Sequence, residues 1–297
     1  MQVNRIRTIS NFFARASLMR FVALVFVMLS ISMTSADLQA ATAAPFPVKQ
    51  TAFVFTDCAT NTAAKELEVC TSGRPNAKLR VAFMGDSHTR QYFPALFKLA
   101  DKYNWQVTVI SKSGCPVLGT KPFPAVSDIR FCKEWNKSRE SYLASVKPFD
   151  LIINSNSSFL TRGNAEIAKA YKQTIAKQLA RGTKVVAIFD NAKPDPGVAK
   201  CYKTFGAAVN ANCSVSKKIA FTSKDAQPAS IRSLPGVTVL DFSSAYCGIS
   251  KTAPSLCPPL INGIKVYRDN SHISSTFAAT LQSRIDAGLP SFAKRVN

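Results

Sequence analysis

Short apolar runs alternate along the chain with segments whose apolar residues have helical spacing. Residues 79–87 (LRVAFMGDS) form an apolar run that ends in a turn, and residues 90–103 follow it with helical spacing. The clearest helical pattern lies in residues 164–182, where apolar side chains recur every fourth position until Gly182 marks a C-terminal stop. This alternation predicts a series of strands, each followed by a helix.

The whole pattern predicts five strands and four helices. The strands lie within residues 79–87, 105–111, 150–158, 183–190 and 236–243, and the helices within residues 90–103, 132–147, 164–182 and 274–289. Strands that are apolar throughout are buried on both faces, so we predict a three-layer α/β/α sandwich with a mainly parallel, flavodoxin-like sheet. Residues 191–235 contain four prolines and one cysteine pair, and we expect an irregular excursion there.

The first 43 residues have the layout of a secretory signal peptide. Four arginines precede a mostly apolar run from Phe21 to Met33, and small residues follow up to Ala43. The run is shorter than the roughly 20 residues of a spanning helix, although an uncleaved anchor remains the alternative. We therefore expect residues 44–297 to form a single domain that is exported to the periplasm or the cell exterior.

Eight cysteines follow the predicted signal peptide, and an even number suits an oxidising compartment. They fall into four close pairs, and proximity makes sequential pairing the simplest connectivity. The pairs are Cys58–Cys70, Cys115–Cys132, Cys201–Cys213 and Cys247–Cys257. The rival interpretation is a metal site, but no two of these cysteines have the CxxC spacing and the two histidines are badly spaced for it. We expect no metal and no cofactor.

The chain is strongly basic, with a net charge of +21. Such a surface attracts anionic polymers or lipid headgroups. Nucleic acid is not expected as a partner, because export is expected and the basic residues are scattered without interleaved aromatic side chains. An acidic polysaccharide and a generally basic, solvated surface both remain open.

Polar residues follow three of the predicted strands. The turns contain Gly85-Asp86-Ser87-His88, Ser113-Gly114-Cys115-Pro116 and Asn154-Ser155-Asn156. Ligands of open parallel sheets bind beyond the carboxyl ends of the strands, so these turns are expected to share one edge. Ser87 lies where the first predicted strand turns into a helix, and there helical N–H groups and the helix dipole would stabilise an oxyanion.

Asp269 and His272 offer a base for that serine. A serine hydroxyl needs a base to become nucleophilic, and a carboxylate stabilises the charged form of histidine. We place the two residues one helical turn apart, on a common face, and expect His88 to point elsewhere because it neighbours Ser87. The alternative is a capping aspartate beside a surface histidine.

Together these segments resemble the SGNH hydrolase superfamily. The motifs are FMGDSH (83–88), KSGCP (112–116) and YRDNSHIS (267–274). The sequence is most similar to SGNH domains associated with bacterial acyltransferase-3 type O-acyltransferases, with residues 241–274 the most specific stretch. The resemblance covers roughly residues 79–288.

The resemblance implies roles for particular residues. Ser87 would be the nucleophile, His272 the base and Asp269 the orienting carboxylate. The N–H groups of Ser87 and Gly114 would form part of the oxyanion hole. An asparagine usually completes it, but this chain has NSNSS (154–158) in place of the usual GxND. Asn154 and Asn156 both remain open, and we prefer Asn156 because it lies nearer the strand end.

The implied activity is O-acyl transfer, of acetyl above all, to carbohydrate through an acyl-serine. A carbohydrate O-acetylesterase would use the same residues, and a glycan-binding module without turnover is a further alternative. Domains of this kind usually receive the acyl group through a membrane partner, so a separate membrane acyltransferase is expected as the donor.

Overall fold

The computed structural model describes residues 48–52, 67–73, 77–118, 131–161, 164–222 and 225–295. Seven of its strands form one sheet: β1 Val48–Ala52, β2 Leu67–Ser72, β3 Leu79–Gly85, β4 Trp105–Ser111, β5 Leu151–Ser155, β6 Lys184–Ile188 and β8 Val237–Leu240. Four strands of two residues form two small antiparallel sheets, β7 with β9 and β10 with β11: β7 Val215–Ser216, β9 Leu256–Cys257, β10 Leu260–Ile261 and β11 Ile264–Lys265.

The large sheet has the strand order β1-β2-β4-β3-β5-β6-β8. The last five strands in this order, β4-β3-β5-β6-β8, are parallel to one another. When these five are numbered by their position along the chain, the order is 2-1-3-4-5, which is the flavodoxin-like arrangement. The predicted mainly parallel sheet is therefore confirmed. The sequence did not point to β1 and β2; β2 runs antiparallel to β4, and β1 runs parallel to β2.

Short and long helices connect the strands. They are α1 Ser87–Arg90, α2 Phe93–Lys102, α3 Cys132–Ser145, α4 Ser158–Thr161, α5 Ala165–Ala180, α6 Val198–Phe205, α7 Val209–Cys213, α8 Lys217–Ala220, α9 Ala226–Ile231, α10 Ser243–Tyr246, α11 Ser275–Thr280 and α12 Gln282–Gly288. Residues 191–235, predicted to be irregular, thus contain α6 to α9. The single predicted C-terminal helix is divided into two at Leu281.

Two apolar cores lie on the two faces of the sheet. Alternate residues of β3 contribute to each: Phe83 packs in one core with Leu96 of α2, and Met84 packs in the other with Tyr171 of α5. This alternation follows from the pleat of a strand, which sends successive side chains to opposite faces. The result is the predicted three-layer α/β/α sandwich.

Disulfides join Cys115 to Cys132, Cys201 to Cys213 and Cys247 to Cys257, as proximity predicted. Cys70 is also disulfide-bonded, and Cys58, its predicted partner, lies outside the described residues, as does the predicted signal peptide. These bridges suit an oxidising compartment. Among the described helices, none has both the length and the apolar composition that a bilayer-spanning segment requires.

Candidate active site

The three polar turns meet at the carboxyl edge of the sheet. Gly85, at the end of β3, is in register with Ser111 of β4 and with Ser155 of β5. The Ser157 N–H donates to the Asp86 carboxylate at 2.8 Å, which joins the turns after β3 and β5. The Lys112 N–H donates to the Gly85 carbonyl at 3.2 Å, which joins the turns after β3 and β4.

Gly85 allows these turns to approach closely. A Cβ atom at this position would lie 2.1 Å from Thr89 Oγ1 and 2.2 Å from the Ser155 carbonyl oxygen. Thr89 Oγ1 donates to that carbonyl at 2.5 Å and accepts the Ser155 N–H at 2.8 Å. A side chain at Gly85 would therefore push β5 away from the start of α1.

Ser87 is the first residue of α1, and Asp86 is its N-cap. The buried Asp86 carboxylate accepts the His88 N–H at 2.8 Å. The helix is a single turn, so its support of an oxyanion at Ser87 would come from its first N–H groups, and this support stays a prediction. Local N–H groups remain as possible donors.

Ser87, His272 and Asp269 form a hydrogen-bonded chain. His272 Nε2 lies 2.8 Å from Ser87 Oγ, and His272 Nδ1 lies 3.0 Å from both carboxylate oxygens of Asp269. The structure thus brings together the three residues that the sequence singled out. The arrangement is the one that a serine nucleophile, a histidine base and an orienting carboxylate require.

The Asp269–His272 pair lies in a loop, so its placement on a helical turn was wrong. Asp269 Oδ1 accepts the N–H groups of Ser271 and His272, at 2.8 and 2.7 Å, which closes a tight turn. An antiparallel bridge between Tyr267 and Ile273 holds the base of the loop. The carboxylate therefore both shapes the loop and contacts the imidazole ring.

The electrostatics favour a neutral His272. Burial lowers the pKa of this imidazole, the charge of His88 lowers it further, and Asp269 only partly offsets both. For Asp269, burial raises the pKa, but the N–H groups of His272 and Ser271 and the imidazole outweigh it, so the net shift is downward. A neutral imidazole beside an ionised carboxylate can accept a proton from Ser87.

Gly114 lies in a turn that needs a positive φ. The Cys115 N–H donates to the Lys112 carbonyl at 3.1 Å, and Gly114 has φ +75° at the third position of this turn. The Cys115–Cys132 disulfide ties the turn to the start of α3. The role of the Gly114 N–H as an oxyanion donor stays a prediction.

The two candidate asparagines contact each other and have different surroundings. Asn156 Oδ1 accepts the Val117 N–H at 3.0 Å, and its Nδ2 donates to Asn154 Oδ1 at 3.3 Å. Asn154 is held within the fold, since Tyr171 donates to its Oδ1 at 2.7 Å and its Nδ2 donates to Met84 O. Asn156 thus bridges the turns after β4 and β5, and its role as the oxyanion donor stays a prediction.

A second polar cluster, which none of the sequence motifs indicated, lies beside this chain. His88 is directed at Asp190, as its expected orientation away from Ser87 allows: its Nδ1 lies 2.5 Å from Asp190 Oδ1, and its ring centroid lies 4.7 Å from that of His272. Asn191 donates to the Ser271 carbonyl at 3.0 Å. Asp190 and Asn191 follow β6, so inspection of the turn after the fourth parallel strand would have identified them.

A cavity of about 310 Å³ opens next to the chain of three residues. It adjoins the site because His88 follows Ser87, and Asn270 and Ser271 lie between Asp269 and His272. Its lining residues are His88, Ser157, Asp190, Asn191, Lys193, Pro194, Pro196, Asn270 and Ser271. Polar side chains and two prolines line it, and apolar atoms make up most of its surface.

A serine, a histidine and an aspartate at the carboxyl edge of a flavodoxin-like sheet match the architecture of SGNH hydrolases. A model of the "SGNH domain (fused to AT3 domains)" family matches residues 57–287. The chain belongs to this family, which confirms the resemblance seen in its sequence. No curated protein matches the chain.

Solved structures are similar to this chain at low sequence identity. The periplasmic domain of a lipopolysaccharide acetyltransferase from Salmonella ser. Paratyphi A is 14% identical, with a TM-score of 0.51, over 71% of this chain and 84% of the other. A candidate acylhydrolase from Bacteroides fragilis is 13% identical, with a TM-score of 0.40, over 72% of this chain and 88% of the other. The first likeness supports the SGNH fold.

Proposed function

We propose that the protein is an exported, serine-dependent O-acyltransferase that transfers an acyl group, acetyl above all, to envelope or extracellular carbohydrate. One observation carries the proposal: the unbroken contact from Asp269 through His272 to Ser87. The family's description, with its fusion to AT3 domains, supports acyl transfer as the reaction class.

In the first half-reaction, Ser87 Oγ attacks the carbonyl carbon of the acyl donor. Its proton passes to His272 Nε2, 2.8 Å away, and Asp269 stabilises the imidazolium. The N–H groups of Ser87 and Gly114 and the amide of Asn156 would donate to the oxyanion. The tetrahedral intermediate then expels the leaving group, which takes the proton from His272, and an acyl-serine remains.

In the second half-reaction, a sugar hydroxyl gives its proton to His272 and attacks the acyl-serine. Collapse of the second intermediate frees Ser87, which regains the proton, and releases the O-acylated sugar. Water in place of the sugar would make the enzyme an O-acetylesterase. The same protein groups act in both outcomes, so the acceptor that occupies the site decides between them.

The cavity beside the triad is where we place the acceptor. Sugars present apolar ring faces and hydroxyl groups, which suit Pro194, Pro196 and Asn270 in the lining. Lys193 adds positive charge to the wall, and the whole chain carries +21. These charges support an acidic polysaccharide as the acceptor.

We further propose that a separate membrane acyltransferase supplies the acyl group and that the protein works in the periplasm or outside the cell. The description of the family as fused to AT3 domains supports the first point. The three disulfides described above support the second, because such bridges persist in oxidising compartments.

The test uses protein purified from an oxidising compartment and a chromogenic acetyl ester, with and without an oligosaccharide acceptor. We expect the wild type to release acetate and Ser87→Ala to be inactive. The control is Ser250→Ala, at an exposed serine, which should stay active. Acylated sugar and an acyl-Ser87 peptide detected by mass spectrometry would establish transfer. Release of acetate alone, at a rate that acceptors leave unchanged, would establish an esterase, and inertness with no trapped acyl-serine would favour a glycan-binding module.

A further inference from the structure

A second histidine–carboxylate pair is buried beside the triad. The side chains of His88 and Asp190 are each 4% exposed, with Nδ1 and Oδ1 2.5 Å apart. The other oxygen of Asp190 accepts the N–H and the hydroxyl of Ser158, at 2.7 and 2.9 Å. Asp190 therefore has the hydrogen bonds that a buried, ionised carboxylate needs.

The pair contacts the loop that carries the catalytic imidazole. His88 Nε2 lies 3.0 Å from Ser271 Oγ, and the rings of His88 and His272 have centroids 4.7 Å apart. Gln91 accepts the Ile273 N–H at 3.0 Å and donates to Asn191 at 2.9 Å, which links the same loop to the turn after β6. The loop is thus fixed from both sides of His272.

His88 has the surroundings of a cation. Burial lowers its pKa, but the charge and hydrogen bond of Asp190 and the charge of Asp86 raise it more strongly, to about 9. Asp225 accepts the N–H of Asp190 at 2.8 Å. Burial raises the pKa of Asp225 to about 8, so this carboxyl group is largely neutral at pH 7. The charged groups that face His272 are His88, Asp269 and Arg268.

We propose that His88 is a positioning residue that Asp190 holds as a buried cation, so that it fixes the Ser271–His272 loop and keeps His272 neutral in mildly acidic surroundings. A positive charge at this distance disfavours a second positive charge on the neighbouring ring. His272 then remains able to accept the Ser87 proton at lower pH, and its imidazolium is a stronger acid toward the leaving group. The catalytic consequence rests on the proposed function.

The test uses the two histidines of the chain, which give two sets of imidazole signals in NMR spectra of histidine-labelled protein. In the wild type we expect one ring to stay cationic through pH 7 and the other to titrate below 6.5. The variant is His88→Gln with Asp190→Asn, because His88→Gln alone would leave a buried carboxylate unpaired. In the double variant the titration of His272 should move upward, on the order of one pH unit.

The acidic limb of kcat/KM should move by the same amount in the double variant. The matched control is Ser271→Ala, which removes the hydroxyl that contacts His88 and keeps the charge, so the His272 midpoint should stay in place. An unchanged His272 midpoint in the double variant, or a His88 ring that is neutral at pH 7, would overturn the proposal. The NMR titration does not depend on turnover. If the His272 midpoint shifts in the double variant but the wild type has no Ser87-dependent activity, the role of His88 stands and only the proposed function is refuted.

Discussion

His272 Nε2 lies 2.8 Å from Ser87 Oγ, although 185 positions separate the two residues along the chain. The contact depends on two local structures, the single-turn helix that begins at Ser87 and the loop closed by Asp269. Each is anchored to the turns at the carboxyl edge of the sheet. The predictions below test these anchors and the groups that they hold.

Asp269→Asn should abolish most of the activity and leave the fold intact. Its side-chain N–H would face His272 Nδ1, which favours the wrong imidazole tautomer and removes the stabilising charge. We expect kcat to fall by roughly 10²–10⁴-fold with a small change in KM. The control is Asp241→Asn, at an exposed aspartate that accepts the Ser243 N–H at 2.8 Å just before α10. Similar rates for both variants would contradict the assigned role of Asp269.

Asn156→Asp tests the oxyanion hole. The variant keeps the oxygen that accepts the Val117 N–H, and so keeps the link between the turns, but it loses the amide donor. We expect kcat of the folded variant to fall by about 10²–10³-fold, together with some loss of thermal stability, because the variant buries a carboxylate and loses the bond to Asn154 Oδ1. Asn154→Asp is the comparison, since it removes the bond to Met84 O and should mainly lower the melting temperature. The reverse pattern in the two variants would identify Asn154 as the donor.

Gly85→Ala should destabilise the protein through steric conflict. The added methyl group would lie within about 2.2 Å of Thr89 Oγ1 and of the Ser155 carbonyl, which is main chain and cannot rotate away. Gly263→Ala is the matched control, because Gly263 also has a positive φ but no atom within 4 Å of the added carbon. It should cost only the backbone strain of about 1–2 kcal/mol. Equal unfolding free energies in urea would refute the close approach at Gly85.

Removal of the Cys115–Cys132 disulfide should affect both stability and catalysis. The bridge closes a loop of 17 positions, so Cys115→Ser with Cys132→Ser should lower the free energy of unfolding by about 3 kcal/mol. It should also lower kcat, since the turn at Gly114 is no longer tied to α3. Loss of the Cys201–Cys213 bridge, which lies in the α6–α7 region, should reduce stability alone.

Stability should fall as the pH rises from about 6.5 to 9. The pKa of His88 in the folded protein, about 9, lies above its ordinary value of 6.5, because the attraction of Asp190 outweighs the effect of burial. Burial raises the pKa of Asp225 to about 8. The folded protein therefore holds more protons than the unfolded chain in this window, and deprotonation favours unfolding. The His88 contribution is fully present below pH 6.5 and is lost as the pH passes 9.

The measurement is the melting temperature at pH 6.5, 8 and 9. Rising pH also reduces the positive net charge, which on its own would raise stability, so a lower melting temperature at pH 9 is diagnostic. Asp225→Asn should flatten the pH dependence, because it removes one of the groups that binds a proton in the native state. A melting temperature that rises steadily from pH 6.5 to 9 would contradict the assignment of bound protons to His88 and Asp225 in the folded protein.

Local patterns determined much of the fold. The five parallel strands and the helix 165–180 were predictable because burial of a strand or of a helix face leaves a period in the sequence that a short window contains. The family was predictable because three short motifs occur in order at compatible spacing. The same motifs singled out Ser87, Asp269 and His272, which the structure places in contact.

The tertiary structure decided what depends on distant partners. β2 pairs antiparallel with β4, and no local pattern of its six residues specifies that neighbour. The Asp269–His272 spacing fits a helical turn as well as a loop, and the structure makes it a loop through the bridge between Tyr267 and Ile273 and the N–H groups that Asp269 accepts. His88 meets Asp190 across 102 positions. The sequence by itself thus determined the strands, the helices and the chemical groups of the site. The partners of those groups were decided by which turns the sheet brings to one edge. Hydrogen bonds across such separations leave no periodic pattern along the chain, so the sequence could not indicate them.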